Sequence, residues 1–333
     1  MKYNTLGNSN LTVSNVILGT WALGGWMWGG TDRNEPVRAV QASIDHGVTT
    51  IDTAPIYGFG MSEELVGKAI KGRRDGLIIA TKCGMRWDLD KGDFFFDSET
   101  PDGDKVAVYK YAGKKSVLEE WDRSLPRLGI DVIDLYQCHW PDSTTPKEET
   151  MEAFLELQDK GKIRAFGVSN FDVPMLEDCM TVATPASLQP EYNLLSRDIE
   201  DEILPFCKTH NIAIICYSSM YRGLLTGKFT PDHTFSTGDT RANDPWYHGD
   251  RLEAVNKTLR ETVQPIADAH NVNLAQIAVA WCLAQEGVTA ALVGARNQAQ
   301  ADANAVAADV QLDPPEVRRI TDAFDTLLGR FAD

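Results

Sequence analysis

Eight short apolar runs recur along the chain, and each closes on polar or aromatic residues. They are VILGTW at 16–21, TTIDTA at 49–54, LIIATK at 77–82, VIDLYQCH at 132–139, IRAFGVSN at 163–170, ASLQPEYN at 186–193, IAIICYSS at 212–219 and AALVGARN at 290–297. Strands covered by helices on both faces read as near-continuous apolar stretches of this kind rather than as alternating ones. Amphipathic segments separate the runs. Asn34 is placed to cap a helix carrying Val37, Val40 and Ile44, stopped by Gly47. Ser116-x-x-Glu119 reads as a capping box ahead of Leu118, Trp121, Leu125 and Leu128. Thr145-Pro146-x-Glu148 repeats that logic, with proline at the first helical position, before Met151, Phe154 and Leu155; Gly161 ends this helix. Asn273 opens another, through Ile277 to Leu283.

Strands alternating with helices allow a closed barrel or an open doubly wound sheet. The open nucleotide-binding sheet wants GxGxxG after its first strand. Gly24, Gly25, Gly29 and Gly30 lack that spacing and lie in a tryptophan-rich loop. The count of eight therefore favours an α/β (β/α)8 TIM barrel, one domain over residues 1–333, with no linker-like composition break. In such a barrel the functional side chains sit at the C-terminal strand ends and in the loops after them. Three long segments fall there: 20–33 with Trp21, Trp26 and Trp28; 83–115 with Trp87 and Phe94, Phe95 and Phe96; and 229–250 with Trp246 and Tyr247. Read as irregular loops, they are lids or binding loops, or else their aromatics cap the barrel or meet another subunit.

Composition removes several classes of function. The 333 residues carry 48 acids and 32 bases, a net charge of −16, which repels phosphate backbones and argues against a nucleic-acid partner. No stretch approaches the ~18–20 apolar residues of a membrane helix, and the N-terminus has no secretory apolar region. The six cysteines (83, 138, 179, 207, 216 and 282) form no CxxC pair. They read as reduced, buried thiols of a cytoplasmic protein.

The second, third and fourth runs end on Asp52, Lys82 and His139, and Tyr57 follows five residues after Asp52 in APIYGFG. If these runs are neighbouring strands, their ends lie about 5 Å apart and the four groups converge. Their chemistry then fits together. A phenol near pKa 10 exchanges protons poorly at neutral pH, and a nearby ammonium lowers it. Lys82 supplies that charge, Asp52 holds Lys82 charged and aimed, and His139 offers a hydrogen bond to a carbonyl oxygen. The set describes a proton donor for a carbonyl being reduced, or a base for an alcohol being oxidised. Singly, Asp52–Lys82 reads more readily as a structural ion pair and His139 as a core histidine; four compatible groups together at strand ends favour the chemical reading. No HExxH or GxSxG pattern is present, so no metal is expected.

At these residues the chain resembles the aldo-keto reductase superfamily, in its bacterial sugar and aldehyde reductase branch, over nearly its whole length. DTAPIYG at 52–58, TKCG at 81–84 and CHWPD at 138–142 carry the four catalytic positions Asp52, Tyr57, Lys82 and His139. GVSNF at 167–171, LQPEYN at 188–193, YRGLLTGK at 221–228 and GARNQAQADAN at 294–304 look like later signatures of the family. The resemblance implies a hydride transfer between NADP(H), or NAD(H), and an aldehyde, ketone or sugar, with Tyr57 as the acid. It implies that Ser169, Asn170 and Gln189 hold the nicotinamide carboxamide, that Tyr217 stacks on the ring, and that Gly19, Thr20 and Trp21 line that end, with Asp52 beneath. Ser218, Gly223, Leu224 and Lys228 would follow the pyrophosphate. Gly294, Arg296, Gln300 and Asn304 would surround the adenosine, Arg296 facing a 2′-phosphate through its fork of donors. The substrate would meet Trp21, Tyr57, Trp87, His139 and Trp140. Family members occur as monomers and as homo-oligomers. Some serve instead as cofactor-binding, redox-sensing regulatory subunits with little turnover, which is the alternative to an enzyme.

Overall fold

The computed structural model describes residues 1–30 and 34–332. Eight parallel strands close into a barrel: β1 (Val16–Gly19), β2 (Thr50–Asp52), β3 (Ile78–Cys83), β4 (Ile133–Cys138), β5 (Ile163–Ser169), β6 (Ser187–Gln189), β7 (Ala213–Cys216) and β8 (Val288–Gly294). Each pairs with its neighbour in sequence, and β8 closes on β1 through Gly294↔Gly19. These are the eight apolar runs of the sequence. Helices separate and cover them: α1 (Glu35–Asp45), α2 (Met61–Ile70), α3 (Lys114–Leu128), α4 (Lys147–Asp159), α5 (Val173–Met180), α6 (Ile203–Thr209), α7 (Leu274–Ala284) and α8 (Gln298–Val306).

Inward-facing side chains fill the barrel in layers, as this fold requires. Ile17, Ile78, Ala80, Leu135, Ala165, Ile215 and Leu292 form one buried cluster with Leu6, Leu11 and Val13. The last three come from an N-terminal antiparallel hairpin, Tyr3–Thr5 with Thr12–Ser14. Space inside is short: a Cβ on Gly167 of β5 would lie 2.3 Å from Ser187 Oγ on β6.

Four local expectations change. Ser116 caps nothing: α3 begins at Lys114, and Ser116 is buried within its first turn, where its hydroxyl donates to Glu120 Oε1 (3.2 Å). Pro146 is the N-cap of α4 rather than its first helical residue. The segment 83–115 is not an irregular loop. It folds into a three-stranded antiparallel sheet of Met85–Arg86, Asp93–Glu99 and Lys105–Lys110, with the last strand in the middle. In 229–250, two short 3-10 turns, Thr240–Asn243 and Pro245–Tyr247, tuck Tyr247 into the core. Asn273 does open α7, as its N-cap in a capping box with Gln276. Of segment 20–33, residues 31–33 lie outside the described residues.

Candidate active site

The C-terminal rim opens on a cavity of about 1030 Å³, at the upper end of the range for small-ligand sites. Asp52 reaches its floor from β2, Lys82 of β3 lies buried beneath that floor, and His139 follows β4 directly. Both members of the Asp52–Lys82 pair are buried, and Lys82 Nζ donates to Asp52 Oδ1 (2.5 Å) and to the Thr53 carbonyl (2.9 Å). Tyr57 sits in the β2–α2 connection. Successive tight turns, Tyr57 N to Ala54 O and Gly60 N to Pro55 O, fold that connection back over the barrel. They bring the phenol oxygen to 3.4 Å from Lys82 Nζ. The His139 ring stands edge-on to Tyr57, with centroids 5.6 Å apart. The four groups that the sequence suggested therefore do meet.

Burial sets their protonation. It raises the Tyr57 phenol well above its ordinary range, and the Asp52 charge adds to this. That reverses the lowering expected from the ammonium alone, because the low-dielectric surroundings penalise phenolate more than Lys82 favours it. Burial also lowers Lys82, while the Asp52 charge and hydrogen bond oppose it. His139 is pushed well below its usual range by burial and then by the Lys82 charge. The site thus holds a protonated phenol and a neutral imidazole.

One member of this floor escaped the sequence reading. Gln137 of β4 is buried, and its Nε2 donates to Asp52 Oδ2 (3.2 Å), the oxygen that also accepts from Gln189 Nε2 (2.9 Å). Two amides thus occupy Oδ2 while Lys82 takes Oδ1. Gln137 lies two positions before His139, so strand periodicity puts both on the inner face, a signal available in the sequence.

Beyond the floor, polar groups line one side of the cavity. Asn170 joins three elements: its Nδ2 donates to the His139 carbonyl and to Ser169 Oγ (both 3.0 Å), and its Oδ1 accepts from the Tyr217 hydroxyl (2.9 Å). Ser169 Oγ in turn donates to the Gln189 carbonyl (2.7 Å). Gly19, Thr20, Trp21, Ser218, Gly223 and Gly294 also border the space, as do Trp140, Gln300 and Asn304. Asn304 and Gln300 brace the turn into α8, through Gly294 O and Arg296 N.

Lys228, Arg241 and Arg296 also line the cavity. Arg241 pairs with Asp239, whereas neither Lys228 nor Arg296 makes an ion pair among the described residues. The Arg296 guanidinium donates to the Trp28 carbonyl (3.3 Å). Burial, then the charges of Arg241 and Arg296, lower the Lys228 ammonium from its ordinary range. Cations crowded together in a chain of net charge −16 fit a bound phosphate, and the N-terminus of α8 beside them adds backbone N–H groups.

Besides Lys82 beneath the floor, two expected residues are not at the cavity. Trp87 packs edge-on against Phe59 (5.3 Å) behind the wall, because the 85–110 sheet turns it away. Leu224 is fully buried in the main core. In their place Trp26, Phe95, Phe96 and Arg241 line the space. No helix among the described residues is long and apolar enough to cross a membrane.

A closed barrel carrying a phenol, an ammonium, a carboxylate and an imidazole at its C-terminal rim, beside a cavity also lined by three cations, has the form of an oxidoreductase. The chain belongs to the aldo/keto reductase family, whose model matches residues 15–325. It is 41% identical over 305 residues to an aldo-keto reductase of Bacillus subtilis, covering 91% of this chain and 87% of that protein. It is 36% identical over 339 residues to an NADH-specific methylglyoxal reductase of Escherichia coli, covering 100% and 99%. Among solved structures it resembles the glycerol dehydrogenase of Gluconobacter oxydans, with TM-score 0.86 and 37% identity over 98% of this chain and 95% of that one.

Proposed function

We propose that the protein reduces a small carbonyl compound with NADPH or NADH, with Tyr57 as the acid, or in the reverse direction oxidises the matching alcohol with NADP+ or NAD+, with Tyr57 as the base. The observation that carries this reading is the 3.4 Å approach of the Tyr57 phenol to Lys82 Nζ at the base of the cavity that Ser169, Asn170, Gln189 and Tyr217 line. The dinucleotide, when bound, supplies the hydride that reaches the carbonyl carbon. Ser169, Asn170 and Gln189 hold the carboxamide, Tyr217 presents its ring as the stacking face, and Lys228 and Arg296 meet phosphate.

Tyr57 gives its proton to the carbonyl oxygen as negative charge develops there. Burial keeps the proton on the phenol until that moment. His139, neutral, donates a ring N–H to the same oxygen and fixes its direction. Lys82 steadies the phenolate left behind, and Asp52, held by Gln137 and Gln189, keeps the ammonium in place. Orientation and placed charge supply most of the rate gain. With its cysteines buried as free thiols, the protein is assigned to the cytoplasm, acting on small molecules.

The test is titration with NADPH and NADH, read by quenching of tryptophan fluorescence, followed by a panel of aldehydes, ketones and sugars scored by loss of reduced-cofactor absorbance. Turnover of at least one carbonyl supports the enzyme. Quenching with no turnover across the panel favours the regulatory-subunit alternative.

A further inference from the structure

The antiparallel sheet inserted between β3 and α3 carries three consecutive phenylalanines, and its register is irregular at that point. Phe94 pairs with Tyr109 and Phe96 with Val108, leaving Phe95 as an extra residue on its strand. Regular alternation would put Phe94 and Phe96 on one face and Phe95 on the other. The bulge breaks that alternation, and bulges beside functional sites re-aim side chains in this way. Phe95 and Phe96 both line the cavity, whereas Phe94 points out and is 56% exposed.

The two inward rings are held. Phe95 packs on Trp140 (centroids 5.3 Å) and on Phe96 (5.0 Å), and Phe96 on Trp26 (6.0 Å). Trp26 Nε1 donates to Ser98 Oγ (3.1 Å), tying the inserted sheet to the β1–α1 connection. With Trp21, Ile56 and Met85 these rings enclose the space around the Tyr57 phenol and His139. The cations Lys228, Arg241 and Arg296 gather around Trp28 and Phe229 rather than on these rings.

Resting on the reductase reading above, we propose that Phe95 and Phe96 are specificity-determining residues that commit the site to planar, uncharged aromatic carbonyls. The walls offer stacking and edge contacts to a flat ring. They offer few partners to the hydroxyls of a sugar, which would lose hydration without compensation.

The measurement is kcat/KM for benzaldehyde and for glyceraldehyde, with NADPH, in the wild type, Phe95→Ala, Phe96→Ala and the outward-facing Phe94→Ala. The wild type should favour benzaldehyde at least about tenfold. Phe95→Ala and Phe96→Ala should each lose about tenfold on benzaldehyde and stay within about twofold on glyceraldehyde, and Phe94→Ala should change neither. Phe95→Leu, which keeps most of the bulk but not the flat face, covers the case in which an alanine variant fails to fold. It should lose benzaldehyde selectively as well. A wild type that prefers glyceraldehyde, or variants that lose both substrates equally, would overturn the inference and leave the reductase reading standing. Cofactor binding with turnover of neither compound nor of any other carbonyl brings down the reductase reading, and this inference with it.

Discussion

At the scale of single residues, the site depends on who holds the protons. His139 is neutral because burial and the Lys82 charge hold its imidazole well below the ordinary range. Its protonated form therefore does not arise as pH falls through 6.5, and the reduction rate should be level across pH 6–8. A limb centred near 6.5 that disappears in His139→Gln would contradict this. Gln137 offers a second check. Gln137→Leu removes one of two amide donors from Asp52 Oδ2, and a hydrogen bond to a charged group is worth about 1.5–3 kcal/mol. We expect kcat to fall about tenfold with cofactor affinity retained; unchanged kcat would limit Gln137 to packing. That Asp52, Tyr57, Lys82 and His139 meet was legible in the sequence, because strand ends converge in this fold. The direction of the Tyr57 shift was not, since it depends on how far burial outweighs a neighbouring ammonium. Trp87 and Leu224 were misplaced for a related reason: a sequence shows that a residue lies near a strand end, and not which way its side chain turns.

At the scale of elements, α3 is tied to the end of β3 by one buried carboxyl. Glu120 accepts from the Gly84 N–H through both oxygens (3.0 and 3.1 Å) and from Ser116. Burial raises it to about 7, against the lowering effect of Arg86. The folded protein thus binds this proton more tightly than the unfolded chain does. The stability it contributes is present below the ordinary carboxylate range and is lost as pH rises towards 7. The slope is at most about 1.4 kcal/mol per pH unit. Denaturant titrations between pH 5 and 7.5 should show wild-type stability falling more steeply than that of Glu120→Gln; equal slopes would contradict the linkage. The eight strands were readable because helices bury both their faces, which leaves unbroken apolar runs. The sheet at 85–110 was not, because its bulge sets Phe95 and Phe96 side by side and erases the period of two. The Ser116 capping box misled because its spacing also occurs within a helix, where buried Ser116 meets Glu120 instead.

At the scale of the whole molecule, polarity is divided along one cavity. Aromatic walls surround the phenol, and Lys228 and Arg296, without an ion pair among the described residues, line the same cavity beside Arg241 in a chain whose net charge is −16. Lys228→Ala and Arg296→Ala should each weaken NADPH binding about tenfold, more so at low salt, with kcat at saturating cofactor retained. Fluorescence titration at two ionic strengths checks this, and unaltered affinity would move the phosphate elsewhere. The proposed chemistry depends most heavily on Tyr57 as the acid in a prebuilt site. Its most direct test is single-turnover reduction of a carbonyl by Tyr57→Phe beside the wild type, with NADPH affinity measured on the same samples. We predict unchanged cofactor affinity and a reduction rate lower by about 10²–10⁴-fold; a rate within a few-fold of wild type would contradict it.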